Sequence, residues 1–161
     1  MSEKGQKQEI NQSELAKDER KIVKIANLPN EPAFQLKVEP QEIRFKYIVP
    51  NPAFSELRIT NELNKRHCIK IKSTDNKIFL IQPSIVFIEP GQVVFIKFTL
   101  NDTATALPEN THYIGLYHVE TTAKTHTEAF KAKPDGVLRL AITYERDGGS
   151  EEQPSKPIDL K

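Results

Sequence analysis

The chain has 161 residues, of which 37% are hydrophobic and 28% are charged, and this apolar content excludes wholesale disorder. Twenty-three Lys and Arg residues against 22 Asp and Glu residues leave a net charge of +1, so no global field attracts nucleic acid or an anionic membrane. The longest apolar runs, Ile85–Ile88 and Val93–Ile96, have four residues, whereas a membrane span needs about 20. Because the N-terminus is polar and Cys68 is the single cysteine, we expect a cytoplasmic protein without a disulfide.

The two ends of the chain are polar. In residues 1–33 basic and acidic side chains balance each other. Asn11 and Glu14 have the spacing of a helix-capping box, and the apolar residues that follow would share one side of a helix over about residues 12–26. A disordered arm and a partly helical arm both remain open for this segment. Residues 146–161 are rich in glycine, proline and charge, which predicts a disordered tail.

The middle of the chain, residues 34–145, alternates between apolar and polar side chains in seven or so short segments. The alternating residues are Leu36 and Val38; Ile43 and Phe45; Leu57 and Ile59; Ile69 and Ile71; Val94, Ile96, Phe98 and Leu100; Ile114 and Leu116; and Leu138, Leu140, Ile142 and Tyr144. Turn-forming residues separate the segments, and Pro40 interrupts one of them, which predicts a strand that breaks or changes sheets there. This pattern predicts an all-β domain, a seven-stranded sandwich of immunoglobulin size.

No catalytic or metal-binding constellation is visible in the sequence. The six glycines fit neither nucleotide-binding pattern. His67 and Cys68 are neighbours on a predicted strand, so their side chains point to opposite faces, and Cys68 is interpreted as a buried or half-buried structural cysteine. His112 and His118 are about 20 Å apart along one strand and cannot share a metal ion, while His126 lies in a predicted polar loop. We therefore predict no catalytic residue, no cofactor and no metal.

A basic strip lies between positions 64 and 77, where five basic residues accompany one acidic residue. If the isoleucines of this strand face the core, Lys70 and Lys72 project with Cys68 from the opposite face. Such a strip suits an acidic peptide, a phosphate or a lipid head group. The alternative is a solvated strand whose lysines deter edge pairing, and the residue pattern by itself favours that alternative.

Val93 and Phe95 are predicted to point outward, because their neighbours Val94 and Ile96 occupy the core face. An outward Phe beside a Val is typical of an interface. It is equally typical of a surface that a loop or the N-terminal arm covers. Both interpretations remain open.

An ordered series of short motifs covers about two thirds of the chain. The motifs are Val38-Glu39-Pro40, Ile43-Arg44-Phe45, Leu57-Arg58-Ile59-Thr60-Asn61, Lys70-Ile71-Lys72-Ser73-Thr74, Phe79-Leu80-Ile81-Gln82-Pro83, Ile88-Glu89-Pro90-Gly91 and Lys133-Pro134-Asp135-Gly136. This series resembles the major sperm protein (MSP) domain, which nematode sperm cytoskeletal proteins share with the VAP membrane-contact proteins. The resemblance implies a seven-stranded, immunoglobulin-like (MSP/PapD-like) sandwich without enzymatic activity.

VAP-type domains bind short acidic peptides that contain two phenylalanines, called FFAT motifs, on a basic face. The resemblance assigns to that face Lys70, Lys72, Ser73 and Thr74. The chain departs from the VAP pattern at Tyr113 and Gly115, where VAP proteins have a lysine and a methionine, and at Gln82, which replaces an arginine. These departures imply that FFAT peptides bind weakly at best.

Nematode sperm proteins are the closer analogy, because the chain ends without the coiled coil and membrane anchor of VAP proteins. The resemblance therefore implies a non-enzymatic protein that binds or regulates the MSP filament cytoskeleton in the cytoplasm and pseudopod of amoeboid sperm. The implied partners are major sperm protein or other sperm cytoskeletal proteins, with acidic peptides as the alternative and no nucleic acid. The predicted contact residues are Lys70, Lys72, Ser73, Thr74, Val93, Phe95 and Tyr113.

Overall fold

The structure is a computed structural model that describes residues 26–103 and 112–147. Nine strands lie in these two ranges: β1 (Lys37–Glu39), β2 (Ile43–Tyr47), β3 (Ala53–Thr60), β4 (His67–Ser73), β5 (Phe79–Gln82), β6 (Ile85–Ile88), β7 (Val93–Leu100), β8 (Tyr113–Glu120) and β9 (Gly136–Arg146). One short helix, α1 (His126–Ala129), lies between β8 and β9. The predicted arm helix, about residues 12–26, falls outside the described residues except for Ala26. Of the predicted tail, residues 146–161, Arg146 is the last residue of β9, and the part from 148 onward falls outside the described residues. No helix in the described part of the chain is long and apolar enough to cross a bilayer.

The strands form two sheets. The four-stranded sheet has the order β1-β3-β7-β5, and the five-stranded sheet has the order β2-β9-β8-β4-β6. The strand pairs are antiparallel except for β2 with β9, which run parallel. This arrangement confirms the predicted all-β, immunoglobulin-like sandwich.

The described residues contain nine strands where the alternating segments predicted seven, because β5 and β6 were not predicted. The chain changes sheets at two prolines. β1 and β2 flank Pro40 and belong to different sheets, as the sequence predicts. β5 and β6 flank Pro83 in the same way, and this second change of sheet was not predicted. Proline donates no backbone hydrogen bond to a ladder, so each proline stands where pairing in one sheet ends.

The core lies between the two sheets and consists of the alternating residues. Ile96, Phe98 and Leu100 of β7 are fully buried, and so are Ile114 and Leu116 of β8. Partly buried residues at the margin of this core include Val94, Leu138 and Tyr144. Since full burial of such a side chain stabilises the fold by roughly 1.5–3 kcal/mol, the period-two pattern is the main determinant of this architecture.

A second apolar cluster lies on the outer side of the five-stranded sheet. Cys68 and Val119 are directly opposite each other on β4 and β8, and Ala129 of α1 covers them. The thiol is buried, which confirms the structural interpretation of Cys68, and burial raises its pKa. The prediction of a polar loop around His126 was incomplete, because His126 begins α1, although its side chain is exposed. The helix forms because the Thr125 side chain accepts a hydrogen bond from its third following backbone N–H.

Residues 27–35 lie along β9, beside the half that β2 does not pair. The side-chain amide of Asn27 donates to the carbonyl of Val137 at 2.6 Å, and the N–H of Val137 donates to the carbonyl of Pro32 at 2.9 Å. Ala33 forms a parallel bridge with Val137. The last residues that the sequence analysis placed in the arm, 27–33, therefore contact the sandwich.

Candidate functional site

The predicted contact residues lie on two opposite faces of the sandwich. Val93 and Phe95 project from the outer side of the four-stranded sheet, which we call the apolar face. Lys70, Lys72 and Tyr113 project from the outer side of the five-stranded sheet, which we call the basic face. Because packed sheets are about 10 Å apart with their side chains between them, one flat partner surface cannot cover both groups.

The apolar face carries three exposed large hydrophobic side chains on adjacent strands. Phe95 of β7 and Phe54 of β3 are each 55% exposed, and Leu80 of β5 is 44% exposed. Phe54 and Leu80 flank Thr99 in one row across the sheet, because both are registered with that residue. Val93, at the start of β7, is half-buried. Phe54 and Leu80 were not predicted as contact residues, although each is a large apolar residue that follows a buried one on its strand, Ala53 and Phe79 respectively.

Charged side chains are interspersed with these hydrophobic ones. The Lys97 ammonium lies 4.5 Å from the centre of the Phe54 ring, and Arg58 is registered opposite Phe95. The Arg58 guanidinium is 3.9 Å from the Glu39 carboxylate, and both side chains are about half exposed. Exposed pairs of this kind contribute only about 0–1 kcal/mol to stability, so they remain free to exchange partners. Aromatic side chains and arginine are enriched at protein–protein interfaces, and this face carries Phe54, Phe95 and Arg58, although it also carries Lys97, a residue type that interfaces disfavour.

The basic face is organised in two rows across the sheet. Lys72, Gly115 and Arg139 form one row, because Gly115 is registered with both of the basic residues. Lys70 lies in the next row, opposite Tyr117. Since Gly115 has no side chain, the Tyr117 hydroxyl fills its place, and a Cβ at position 115 would lie 3.0 Å from that hydroxyl.

A groove of about 250 Å³ opens on the basic face beside the two lysines. The Lys70 ammonium lies 5.2 Å from the centre of the Phe130 ring, and the Lys72 ammonium lies 5.8 Å from the centre of the Tyr117 ring. Both aromatic rings line the groove together with the lysines. Cations beside aromatic walls can hold an acidic chain that also carries an apolar side chain.

Ser73, Thr74 and Tyr113 are engaged in local hydrogen bonds where β4 ends and β8 begins. Ser73 is registered with the buried Ile114 and therefore lies on the inner side of β4, not on the basic face. The Ser73 hydroxyl donates to the Asn76 side chain at 3.1 Å. The Thr74 hydroxyl oxygen accepts the N–H of Tyr113 at 3.2 Å and lies 2.7 Å from Nδ1 of His112. The Thr74 bonds tie the end of β4 to the start of β8, whereas the Ser73 bond stays within the turn after β4. A role in partner contact stays a prediction for Ser73 and Thr74.

Two histidines from neighbouring strands form a buried pair at the opposite end of the sandwich. His67 and His118 are almost completely buried, and their Nδ1 atoms are 3.0 Å apart. The backbone N–H of Gln35 donates to Nε2 of His118 at 3.1 Å. Because Nε2 accepts this bond, a neutral His118 carries its proton on Nδ1 and donates it to Nδ1 of His67. Burial lowers the pKa of both imidazoles, that of His118 to about 4.

Asp135 completes a group of three potential metal ligands, whose donor atoms all lie within 4.8 Å of one another. A metal ion on Nδ1 of His118 would place the proton of that ring on Nε2, against the N–H of Gln35. The carboxylate of Asp135 is exposed and accepts the N–H of Glu120 at 2.6 Å. This arrangement fits a hydrogen-bonded histidine pair and does not fit a metal centre.

This pair was not predicted, because spacing along the sequence relates each histidine only to residues near it in the chain. His67 was compared with Cys68, and His118 with His112, whereas the two contacting rings are 51 residues apart. Strand register brings them together, since His118 is paired with Ile69, two residues along β4 from His67. No spacing signal in the sequence encodes such a diagonal contact.

Gly136 allows the close approach of the chain to this pair. A Cβ at position 136 would collide with Nε2 of His118 and would lie 2.7 Å from the carbonyl oxygen of Ala33. Glycine is therefore required here for lack of space, at the point where β9 begins.

Comparison with known proteins gives one family. The sequence profile of the MSP (Major sperm protein) domain matches residues 35–135. Two Caenorhabditis elegans proteins are similar in sequence: "Uncharacterized protein R05D3.5" is 27% identical over 112 residues, and "Uncharacterized protein ZC262.1" is 28% identical over 107 residues. These matches cover 67% and 64% of this chain, and 62% and 81% of the respective relatives. The chain thus spans about three fifths of the first relative.

Solved structures show the same fold at low sequence identity. WR4, a C. elegans MSP family member, has a TM-score of 0.56 at 18% identity, and the match covers 66% of this chain and 94% of that one. SSP-19, described as an MSP-domain protein like family member in C. elegans, has a TM-score of 0.54 at 21% identity, and the match covers 67% of this chain and 99% of that one. The ASH/PapD-like domain 7 of human CEP192 has a TM-score of 0.52 at 10% identity, and the match covers 76% of this chain and 92% of that one.

Proposed function

The chain belongs to the MSP domain family, and from this premise we propose that it is a non-enzymatic binding protein of the MSP filament cytoskeleton in nematode amoeboid sperm. Its partner is major sperm protein or another sperm cytoskeletal protein, and it acts in the cytoplasm. The observation that carries the proposal is the apolar face, where Phe54, Leu80 and Phe95 are exposed on three adjacent strands. Sequence similarity to C. elegans proteins supports the nematode setting.

The energetics of the apolar face suit a reversible contact. Fully burying an exposed Phe side chain is worth roughly 1.5–3 kcal/mol. Phe54, Phe95 and Leu80 are only about half exposed, so each can contribute roughly half of that value, which is enough to help hold a partner in a larger contact. They do not supply enough to build a stable dimer by themselves, because association also costs translational and rotational freedom. Such a surface is suited to binding a filament or its subunits repeatedly and releasing them.

Reconstituted fibre growth in sperm extract tests this proposal. The protein is expected to co-sediment with the fibres, and its addition or depletion is expected to change their growth rate. Phe95→Asp should weaken co-sedimentation, because it places a charge in the contact. The matched control is Ile48→Asp, since Ile48 is 52% exposed but lies in the turn between β2 and β3, outside the apolar face. Absence of co-sedimentation, together with an unchanged growth rate, would contradict the proposal.

The basic face supports a second candidate function, the binding of an acidic FFAT-type peptide. The supporting observation is the groove in which Lys70 and Lys72 stand beside aromatic rings. We expect weak binding, because Gly115 and Tyr113 replace the long side chains that line the VAP peptide site. Titration of a fluorescently labelled FFAT peptide tests this function. Micromolar affinity at physiological salt that disappears in the double variant Lys70→Asp, Lys72→Asp would favour this function over filament binding.

A further inference from the structure

Arg139 is a third cation of the basic face, and an acidic residue of the same chain neutralises it. Its guanidinium donates to the Glu31 carboxylate through Nη2 at 2.6 Å and through Nε at 3.3 Å. The Arg139 and Glu31 side chains are only 13% and 18% exposed. The remaining terminal nitrogen of Arg139, Nη1, donates to the Tyr113 hydroxyl at 2.9 Å. Arg139 is thus oriented by β8 on one side and covered by the N-terminal segment on the other.

Glu31 is presented to Arg139 by a tight turn. Its N–H donates to the carbonyl of Leu28 at 3.0 Å, and its carboxylate accepts the N–H of Leu28 at 2.8 Å. Pro29 at the second position of this turn favours the required backbone geometry. The hydrogen bonds from Arg139 hold the pKa of the Glu31 carboxyl below its ordinary value, so Glu31 is an anion at neutral pH. The segment thereby places one fixed carboxylate at the edge of a positively charged surface.

The position of Arg139 matches the two lysines of the groove. Arg139 and Lys72 lie in one row with only Gly115 between them, so their Cα atoms are about 10 Å apart across the sheet. Lys72 is exposed, whereas Arg139 is covered by Glu31. An extended acidic peptide across the sheet would place successive carboxylates near both cations, provided that Glu31 were displaced.

We propose that Glu31 occupies an anion position of the basic face, and that release of residues 27–31 uncovers Arg139 as the third cation for an acidic peptide. This inference rests on the second proposed function, acidic-peptide binding. Residues 32–35 stay anchored, because Phe34 packs against the core and its ring lies 4.7 Å from that of His118. Besides the bonds between Glu31 and Arg139, residues 27–31 are held to β9 by the Asn27 side chain, so a competing acidic chain has few bonds to replace. Glu31 therefore competes with the peptide carboxylates for Arg139 and lowers the affinity of the chain for an acidic partner.

Titration of the labelled FFAT peptide against matched variants tests the inference. Glu31→Gln removes the competing charge and is expected to bind the peptide about three- to fivefold tighter than the unaltered chain at low salt. Adding Arg139→Gln to this variant should abolish the gain. Glu145→Gln is the control, because Glu145 also forms an ion pair with an arginine, Arg44, and its loss changes the net charge equally. This control lies about 20 Å from Arg139 along β9.

The outcomes separate this inference from the function on which it rests. Equal binding by Glu31→Gln and the unaltered chain would overturn the inference and leave peptide binding intact. Absence of binding in both proteins would overturn the inference and the second function together. The NMR chemical shift of the Arg139 Nε–H can be followed in the unaltered chain, so this measurement needs no substitution. It should move when peptide saturates the protein, and an unmoved signal with peptide bound would also overturn the inference.

Discussion

The buried histidine pair predicts a loss of stability in mild acid. The pKa of His118 falls from its ordinary value of 6.5 to about 4 in the folded chain, because burial disfavours the imidazolium ion. Between these two values the unfolded chain binds a proton that the folded chain does not bind, so stability increases with pH across this window. A change from pH 7 to pH 5 should therefore lower the free energy of unfolding by about 2 kcal/mol through His118.

The variant His118→Gln isolates this contribution. A glutamine side chain offers an oxygen to the N–H of Gln35 and an N–H to Nδ1 of His67, so both hydrogen bonds of His118 have a replacement. Urea unfolding, followed by circular dichroism at pH 7 and pH 5, measures the difference. The pKa of His67 is also lowered by burial, so the free energy of unfolding of the variant should still fall between pH 7 and pH 5, but by less than that of the unaltered chain.

The range from pH 7 to pH 5 distinguishes the stability change caused by the histidines from that caused by the Glu31 carboxylate. The pKa of Glu31 is lowered, so the stability that this residue contributes is present above its ordinary value of 4.5 and is lost only in stronger acid. Its loss therefore lies mostly below pH 5. If the unaltered chain and His118→Gln lost equal stability between pH 7 and pH 5, the hydrogen-bonded arrangement of neutral histidines would be refuted.

Three further predictions concern the fold and its buried groups. Gly136→Ala should destabilise the chain by about 1–3 kcal/mol in urea unfolding, because the new Cβ has no space beside His118, and an unchanged midpoint would contradict this packing. Leu116→Ala should cost about 2–5 kcal/mol, since the side chain is fully buried between the sheets, and a smaller loss would show that the core collapses around the cavity. The Cys68 thiol is buried and its pKa is raised, so a thiol reagent at neutral pH should label it only on unfolding; rapid labelling of the native chain would place Cys68 at the surface.

Seven of the nine strands were predictable from the sequence, because their buried residues alternate with polar or exposed ones; β5 and β6 were not predicted. In β7 the residues Ile96, Phe98 and Leu100 alternate with polar or exposed ones, and the structure buries all three. Pro40 likewise predicted the change of sheet, because proline has no N–H to donate to the strand ladder and so interrupts pairing. The one-turn helix α1 was missed because four residues are too few for a helical period to show.

Contacts between distant segments were not predictable in the same way. Glu31 and Arg139 are 108 residues apart, and each is an ordinary charged residue in its local sequence. The sequence also gave no reason to separate Phe95 from the lysines of β4, because strand parity predicts which residues are outward but not which sheet carries them. Only the sheet order assigns these residues to opposite faces of the sandwich.

Hydrogen–deuterium exchange of the protein bound to reconstituted sperm fibres tests the central proposal most directly, because it locates the contact without any substitution. The proposal predicts that binding slows amide exchange in the peptides that cover β3, β5 and β7, which carry Phe54, Leu80 and Phe95. Protection confined to β4 and β8 would instead assign the contact to the basic face. Exchange that is unchanged throughout the fibre-bound fraction would contradict a contact through the sandwich.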